Sequence, residues 1–277
     1  MVYRIYRNKL IKRVVKMSQI RLDKFISERT EYSRREIKEL ARKGGIKLNG
    51  AAVKAPDVKI DPENDTVEVC GKTVQAERFR YLLLNKPQGY VCSTDEKDGK
   101  TVMELVPAEL RTKGMFPAGR LDKDSLGALL ITDDGELAHK ILAPGRHVSK
   151  IYIVKLDRPF QSNYIDLFGK GIDLKTGERC LPAKVKPLEN SEKHVFVELC
   201  EGKYHQIKRM FAAVGNHVEV LMRISVGGLI LPEKLAIGEC MELLHKDVEN
   251  LFLPLDFDAF CTEFSANFSA KLINKVL

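Results

Sequence analysis

The sequence predicts an α+β protein in two parts: a small helix–helix–hairpin unit, linked to a larger mixed, mainly antiparallel α/β domain. Two observations carry this. Residues 21–53 hold two stretches with helical spacing, then Asn-Gly between alternating residues. From Tyr81 onward, short apolar runs of strand length are punctuated by Gly and Pro, with three helix-like segments among them. That is too few clean strand–helix alternations for a doubly wound parallel sheet. The implied boundaries are a basic extension over 1–16, the first unit over 17–70, a connector over 71–79, the second domain over 80–254 and a Phe-containing tail over 255–277.

In the first unit, Leu22, Phe25 and Ile26 fall at i, i+3, i+4, one face of a helix. Asp23 lies in its first turn, where a carboxylate suits the positive helix end, and this alone accounts for it. Ser33 followed by Glu36 is a capping box. Ile37, Leu40 and Ala41 mark the buried face of the second helix, and Gly44-Gly45 ends it. Ile46 and Leu48 then alternate with Lys47 and Asn49, and Asn49-Gly50 makes the hairpin turn. Arg34, Arg35, Lys38 and Arg42 lie on the exposed face of the second helix, spaced to meet phosphates or simply to be solvated.

In the second part, "YLLLNKPQGYVCST" reads as strand, turn, strand. Further strands are expected over 127–132, 150–156, 181–187, 194–200 and 218–224, and helices over 136–142, 161–169 and 205–214. In "SKIYIVKL", alternation sends Ile151 and Ile153 to one face and Lys150, Tyr152 and Val154 to the other. No GxGxxG, P-loop or internal repeat is present, apart from one tetrapeptide.

That tetrapeptide, Arg-Leu-Asp-Lys, occurs at 21–24 and again at 120–123. The first copy sits at a helix start. The second, in "PAGRLDKDSLGALLITDDG", has no helical face running through Asp122 and belongs to a loop before an apolar strand. Loops on rigid scaffolds are where functional groups collect. By local pattern alone, Asp122 reads first as a polar turn residue that caps something. His205 and His217 read as hydrogen-bonded or exposed side chains rather than metal ligands.

Composition bounds the partners. Hydrophobic residues at 44% and charged residues at 30% are ordinary for a soluble chain, and no apolar run approaches the ~20 residues of a membrane span. The six cysteines form no CxxC pair, which argues against a zinc site or disulfide framework and for a reducing, cytoplasmic setting. The net charge of +8 is concentrated early: residues 1–16 hold six Lys/Arg and no acidic residue. This segment lacks a secretory apolar core, and a start at Met17 would make it an appended extension. A basic tail beside a mildly basic first unit points to a polyanion.

The stretch "RLDKFISERTEYSRREIKELARKGGIKLNG" resembles the S4 domain, a small RNA-binding module; Arg21, Ser33, Arg34, Gly45, Asn49 and Gly50 carry the resemblance. It implies phosphate-contacting roles for Arg21, Arg34, Arg35, Lys38 and Arg42. Further along, "LNKPQGYVCST", "AGRLDKDSLGALLITDDG", "KIYIV" and "EGKYHQIKRMFAAVGNHV" stand in the order found in pseudouridine synthases of the branch that modifies small-subunit ribosomal RNA. The resemblance covers about residues 19–253. Ser125 stands where Thr is usual, and Ser149 where Glu often precedes the Lys-x-Tyr element.

The resemblance to these synthases implies roles for particular residues. Asp122 is then the essential carboxylate, Tyr152 the aromatic residue that stacks on the target uracil, and Lys208 the basic partner of Asp122. Arg120, Lys203 and Arg209 join the RNA-binding set. The reaction moves a uracil from N1 to C5 attachment, so neither a redox cofactor nor a metal is expected. The partner is small-subunit ribosomal RNA, free or in an assembling particle, and a monomer is expected. The route stays open: Asp122 attacks C1′ or the base, or abstracts a sugar proton. Two other functions fit parts of the pattern, a noncatalytic S4-type assembly factor and a carboxylate-dependent nucleoside hydrolase; the latter would want a second carboxylate, for which Asp124 is poorly placed.

Overall fold

A computed structural model describes residues 19–62, 64–74, 79–143 and 148–267. The basic extension 1–16, with Met17 and Ser18, lies outside the described residues, as do 75–78 of the expected connector and 268–277 of the expected tail. The chain divides into two units between Arg78 and Phe79.

The first unit runs β1 (Ile20–Arg21), α1 (Leu22–Arg29), α2 (Arg34–Arg42), β2 (Ile46–Leu48), β3 (Ala51–Ala52), β4 (Lys59–Ile60), β5 (Val67–Val69) and β6 (Lys72–Val74). Both helices form where their spacing predicts. Leu22, Phe25, Ile26, Ile37 and Ala41 are buried together with Ile46, Ile60 and Val67. The capping box is present, with the Ser33 amide donating to Glu36 Oε2 at 2.7 Å. Asn49 and Gly50 both take positive φ, and Leu48 pairs with Ala51 across the tight turn. The expected connector is partly wrong. Cys70 and Gly71 also take positive φ and form a second tight turn, so Lys72–Val74 returns as a strand paired with β5. Cys-Gly is not among the dipeptides that advertise such a turn, so the sequence does not announce this strand.

The second unit contains β7 (Tyr81–Lys86), β8 (Phe116–Pro117), β9 (Leu126–Thr132), α3 (Gly135–Leu142), β10 (Lys150–Leu156), α4 (Asn163–Lys170), β11 (Lys184–Pro187), β12 (His194–Leu199), α5 (Gln206–Ala213), β13 (Val218–Val226), β14 (Leu229–Ile230), β15 (Cys240–Glu242), α6 (His245–Glu249) and α7 (Phe257–Asn267). Its main sheet runs β11-β12-β10-β13-β9-β7-β15, with β8 on β9 and β14 on β13. All pairings are antiparallel except β9 with β13. The sheet is therefore mixed and mainly antiparallel, as expected. The strand expected from 181 begins only at Lys184.

The parallel pair depends on a glycine. Gly127 has φ +100, and a Cβ there would lie 2.1 Å from the Arg223 carbonyl oxygen. Only a residue without a side chain lets β13 pass so close. The register then sets Tyr152 opposite Arg223, Arg223 opposite Gly127, and Gly127 opposite Lys86. These four residues form a row across β10, β13, β9 and β7, beside the loop that precedes Leu126.

The sheet separates two apolar layers. Ile151 and Ile153 enter one, Tyr152 and Val154 the other, as the alternation requires. The described part of the expected tail is a packed helix. Phe257, Phe260, Cys261 and Phe264 of α7 are buried in the first layer, and the Phe264 ring meets Phe196 edge-on at 5.5 Å. Burial pushes the Cys261 thiol up to about 12. The i, i+3, i+4, i+7 spacing from Phe257 is the sequence signal for this buried helix. Replacing Phe264 with Ala should cost about 3–5 kcal/mol of stability, seen as a fall in the urea midpoint with little change in slope.

Candidate active site

The loop carrying Asp122 is built around a buried ammonium. Lys86 ends β7 and is wholly buried. Its Nζ donates to the carbonyl oxygens of Ser125 at 2.8 Å, Pro87 at 3.0 Å, Asp122 at 3.1 Å and Lys123 at 3.4 Å. Burial lowers the Lys86 pKa, against the opposing pull of Cys92, Asp124 and Asp122. The Leu121 amide and carbonyl both meet Cys92 Sγ, at 3.3 and 3.4 Å. The Gly89 amide donates to the Lys123 carbonyl at 2.8 Å. Arg223, also buried, donates from Nε to the Ala128 carbonyl at 2.7 Å. The loop is thus fixed from below by two cations that bond only backbone oxygens among the described residues.

Above it lies a cleft of about 440 Å³ lined by Asp122, Arg120, Tyr152, Lys203, Tyr204 and His205, among others. The Asp122 side chain is 23% exposed. Its Oδ2 is 3.6 Å from Lys208 Nζ, and its Oδ1 is 3.5 Å from His205 Nε2. Lys208 hydrogen-bonds the other carboxylate, Asp124, at 2.6 and 2.8 Å. Burial alone would raise the Asp124 carboxyl, but Lys208 outweighs it and holds Asp124 below the usual carboxylate range. Ser125 Oγ, at the cleft, is buried with no hydrogen-bond partner among the described residues. Beside Tyr152, Lys150 is held down to about 8 by burial and by Arg223.

The sequence-derived residues divide accordingly. Asp122, Tyr152, Arg120 and Lys203 line one cleft, and Lys208 reaches Asp122 from its edge. Arg209 does not line the cleft. Its guanidinium bonds Glu178, Thr176 Oγ1 at 2.7 Å and the Tyr204 carbonyl at 3.1 Å. Two contributors escape the sequence. His205 reads as an ordinary histidine, yet it flanks Asp122. Lys86 stands in a strand before Pro87, where a lysine normally faces water. The Lys-Pro pair signals a turn and gives no hint of a buried ammonium.

The first unit holds a second cleft, of about 450 Å³, lined by Arg21, Asp23, Lys24, Arg34, Arg35 and Lys38. Arg42 is exposed but outside it. Asp23 does more than suit a helix end. It is 3% exposed and accepts from Arg21 Nε at 3.0 Å and Nη2 at 2.8 Å, a two-point grip. The Arg21 guanidinium holds the Asp23 carboxyl low, and Asp23 raises Arg21 in return.

Residues 80–213 match the family model for RNA pseudouridylate synthase, and residues 20–67 match that for the S4 domain. A ribosomal small subunit pseudouridine synthase A from Haemophilus influenzae is 39% identical over 84% of this chain and 99% of its own length. The Escherichia coli protein of that name is 38% identical over 84% of this chain and 100% of its own. A solved structure described as a pseudouridylate synthase is 38% identical, covering 84% of this chain and 99% of that one, with a TM-score of 0.59. The chain belongs to the RNA pseudouridine synthases.

This synthase is therefore an isomerase of RNA uridine with an S4 domain ahead of its catalytic fold. The family match to 80–213 takes in Lys86, the Asp122 loop, Tyr152 and Lys208. The Lys86 ammonium gives a direct test. Lys86→Met keeps most of the apolar stem but removes the ammonium that the Asp122, Lys123 and Ser125 carbonyl oxygens share. It should lower stability by about 1–3 kcal/mol. Amide exchange over 120–125 should quicken more than over β7.

Proposed function

We propose that this synthase isomerises a uridine of small-subunit ribosomal RNA. Asp122 is the essential carboxylate, Tyr152 stacks on the extruded uracil, and Lys208 is the ionic partner of Asp122. The observation that carries the reading is the position of Asp122: a partly buried carboxylate in a cleft of about 440 Å³, shared with Tyr152 and flanked by the Lys208 ammonium and the His205 imidazole. The names of the Haemophilus and Escherichia relatives support the choice of RNA.

The reaction breaks the bond from C1′ to N1 and forms one from C1′ to C5. The proton lost from C5 is balanced by one gained at N1. Asp122 supplies the carboxylate that this exchange needs beside sugar and base. The three routes open to it, attack at C1′, attack on the base and sugar deprotonation, each require an oxygen of Asp122 within reach of the nucleotide. The base must first leave its stack, at a cost of a few kcal/mol. Stacking on Tyr152 returns about 1–3 kcal/mol. RNA contacts by Arg21, Arg34, Arg35, Lys38 and Arg42 in the S4 domain, and by Arg120 and Lys203 at the cleft, offset the remainder. Arg209 contributes through the turn it braces.

Asp122→Asn should abolish pseudouridine formation in small-subunit RNA while RNA binding persists. Substantial single-turnover product from that variant would overturn the assignment. A wild-type chain that binds the RNA and makes no pseudouridine would favour the noncatalytic reading of the fold. Asp23→Ala should loosen Arg21 and leave activity per bound RNA unchanged. It should weaken RNA binding about three- to thirty-fold at low salt, less at high salt, in filter-binding titrations.

A further inference from the structure

Tyr204 and His205 stand on the turn that leads into α5, and both line the Asp122 cleft. His205 has φ +49 and ψ +35, the left-handed region that non-glycine residues seldom occupy. The turn is pinned from several sides. The Lys203 amide donates to Gln206 Oε1 at 2.9 Å, and the Gln206 amide to the Lys203 carbonyl at 3.2 Å. Gln206 Nε2 is anchored in turn on Glu201. Arg209, braced by Glu178, donates to the Tyr204 carbonyl. The outcome is a pair of parallel rings: Tyr204 and His205 stack with centroids 3.8 Å apart and planes 18° from parallel.

His205 covers one face of Tyr204, yet Tyr204 is 67% exposed, the highest value among the exposed large apolar residues described. Its other face is therefore open. A rigid aromatic face, open beside a carboxylate, suits a flat π-system. Arg120 and Lys123 line the same cleft and suit phosphates, while the Lys203 ammonium is held on the Arg179 carbonyl oxygen. A nucleotide carries both, a planar base joined through its sugar to phosphate. Tyr152, buried beneath the cleft, is the ring already given to the target uracil; Tyr204 lies nearer the solvent.

We infer that Tyr204, backed by His205, is a stacking platform for an unpaired RNA base next to the uridine that enters the cleft. This rests on the proposed function, since the neighbour is defined by the flipped uridine. Because every base has a π-face, the platform is tolerant of sequence. It serves to hold the strand open once the target has left its stack. Arg209 and Glu178 are positioning residues for it.

The test uses the full chain and short single-stranded RNAs with a central uridine, carrying 2-aminopurine on its 5′ or its 3′ side. Equilibrium fluorescence gives both the affinity and the quenching that stacking causes. Tyr204→Ala should weaken binding about ten-fold and remove the quench at one of the two positions. Tyr204→Phe and Tyr204→Trp should keep both. On ribosomal RNA, Tyr204→Ala should raise KM by a similar factor, with kcat within about two-fold of wild type, since stacking a neighbour is binding shared by ground and transition states. Unchanged affinity and quench in Tyr204→Ala would overturn the platform, as would a Tyr204→Phe variant as weak as Tyr204→Ala, which would assign the effect to the hydroxyl. If the wild type makes no pseudouridine, the proposed function falls, and the quench still reports on stacking by itself.

Discussion

The second unit depends on one unusual arrangement: a fully buried lysine ammonium that bonds backbone carbonyls in place of a carboxylate. Removing such a group from water is costly unless its donors are satisfied. Lys86 meets that requirement with carbonyls drawn mostly from 122–125, so the cost of burial falls to its lowest when that loop is in place. The ammonium and the loop therefore order one another. Gly127 completes the arrangement by letting β13 run against β9, which brings Arg223 under the same segment. Asp122 is thus held by its backbone, and its side chain is left free of structural duty.

The repeated Arg-Leu-Asp-Lys shows how little a tetrapeptide fixes by itself. At 21–24 the arginine folds back on the aspartate, whose carboxylate is buried and consumed by the grip. At 120–123 the arginine lines the cleft, and the aspartate carboxylate takes no hydrogen bond from any described residue. The first copy starts a helix at Leu22, which brings the side chains of Arg21 and Asp23 together. The second is drawn over Lys86, which gathers the carbonyls and parts the side chains. One sequence makes a bracket in one setting and a free carboxylate in the other.

What can be read from the chain is local. The capping box at Ser33 and Glu36, the Asn49-Gly50 turn and the alternation through Tyr152 each arise within a few residues, and each is found. What escapes is set by partners far along the chain. Lys86 is buried because of a loop some 36 residues on. Cys70 stands where Asn, Asp or Gly usually precedes the glycine of such a turn, so β6 goes unannounced. The placement of His205 beside Asp122 comes from a strained turn that no spacing rule encodes. The motif blocks locate the cleft; only tertiary contacts show that Arg209 is turned away from it.

The spacing of charges around Asp122 has a chemical consequence. Each carboxylate oxygen faces a basic nitrogen, at 3.5 and 3.6 Å. At those separations no hydrogen bond is formed, while the Lys208 ammonium still attracts the carboxylate through space. The lone pairs of the Asp122 carboxylate are consequently not spent on the protein. Asp124 is what keeps Lys208 at that distance, because both of its oxygens take the lysine hydrogen bonds. Asp124 is 69% exposed, so its grip is screened by water, and Asp122, at 23%, is screened less. Both oxygens of the second carboxylate are thus engaged by the lysine. Asp124 tethers the ammonium 3.6 Å from Asp122, too far to cap its oxygens.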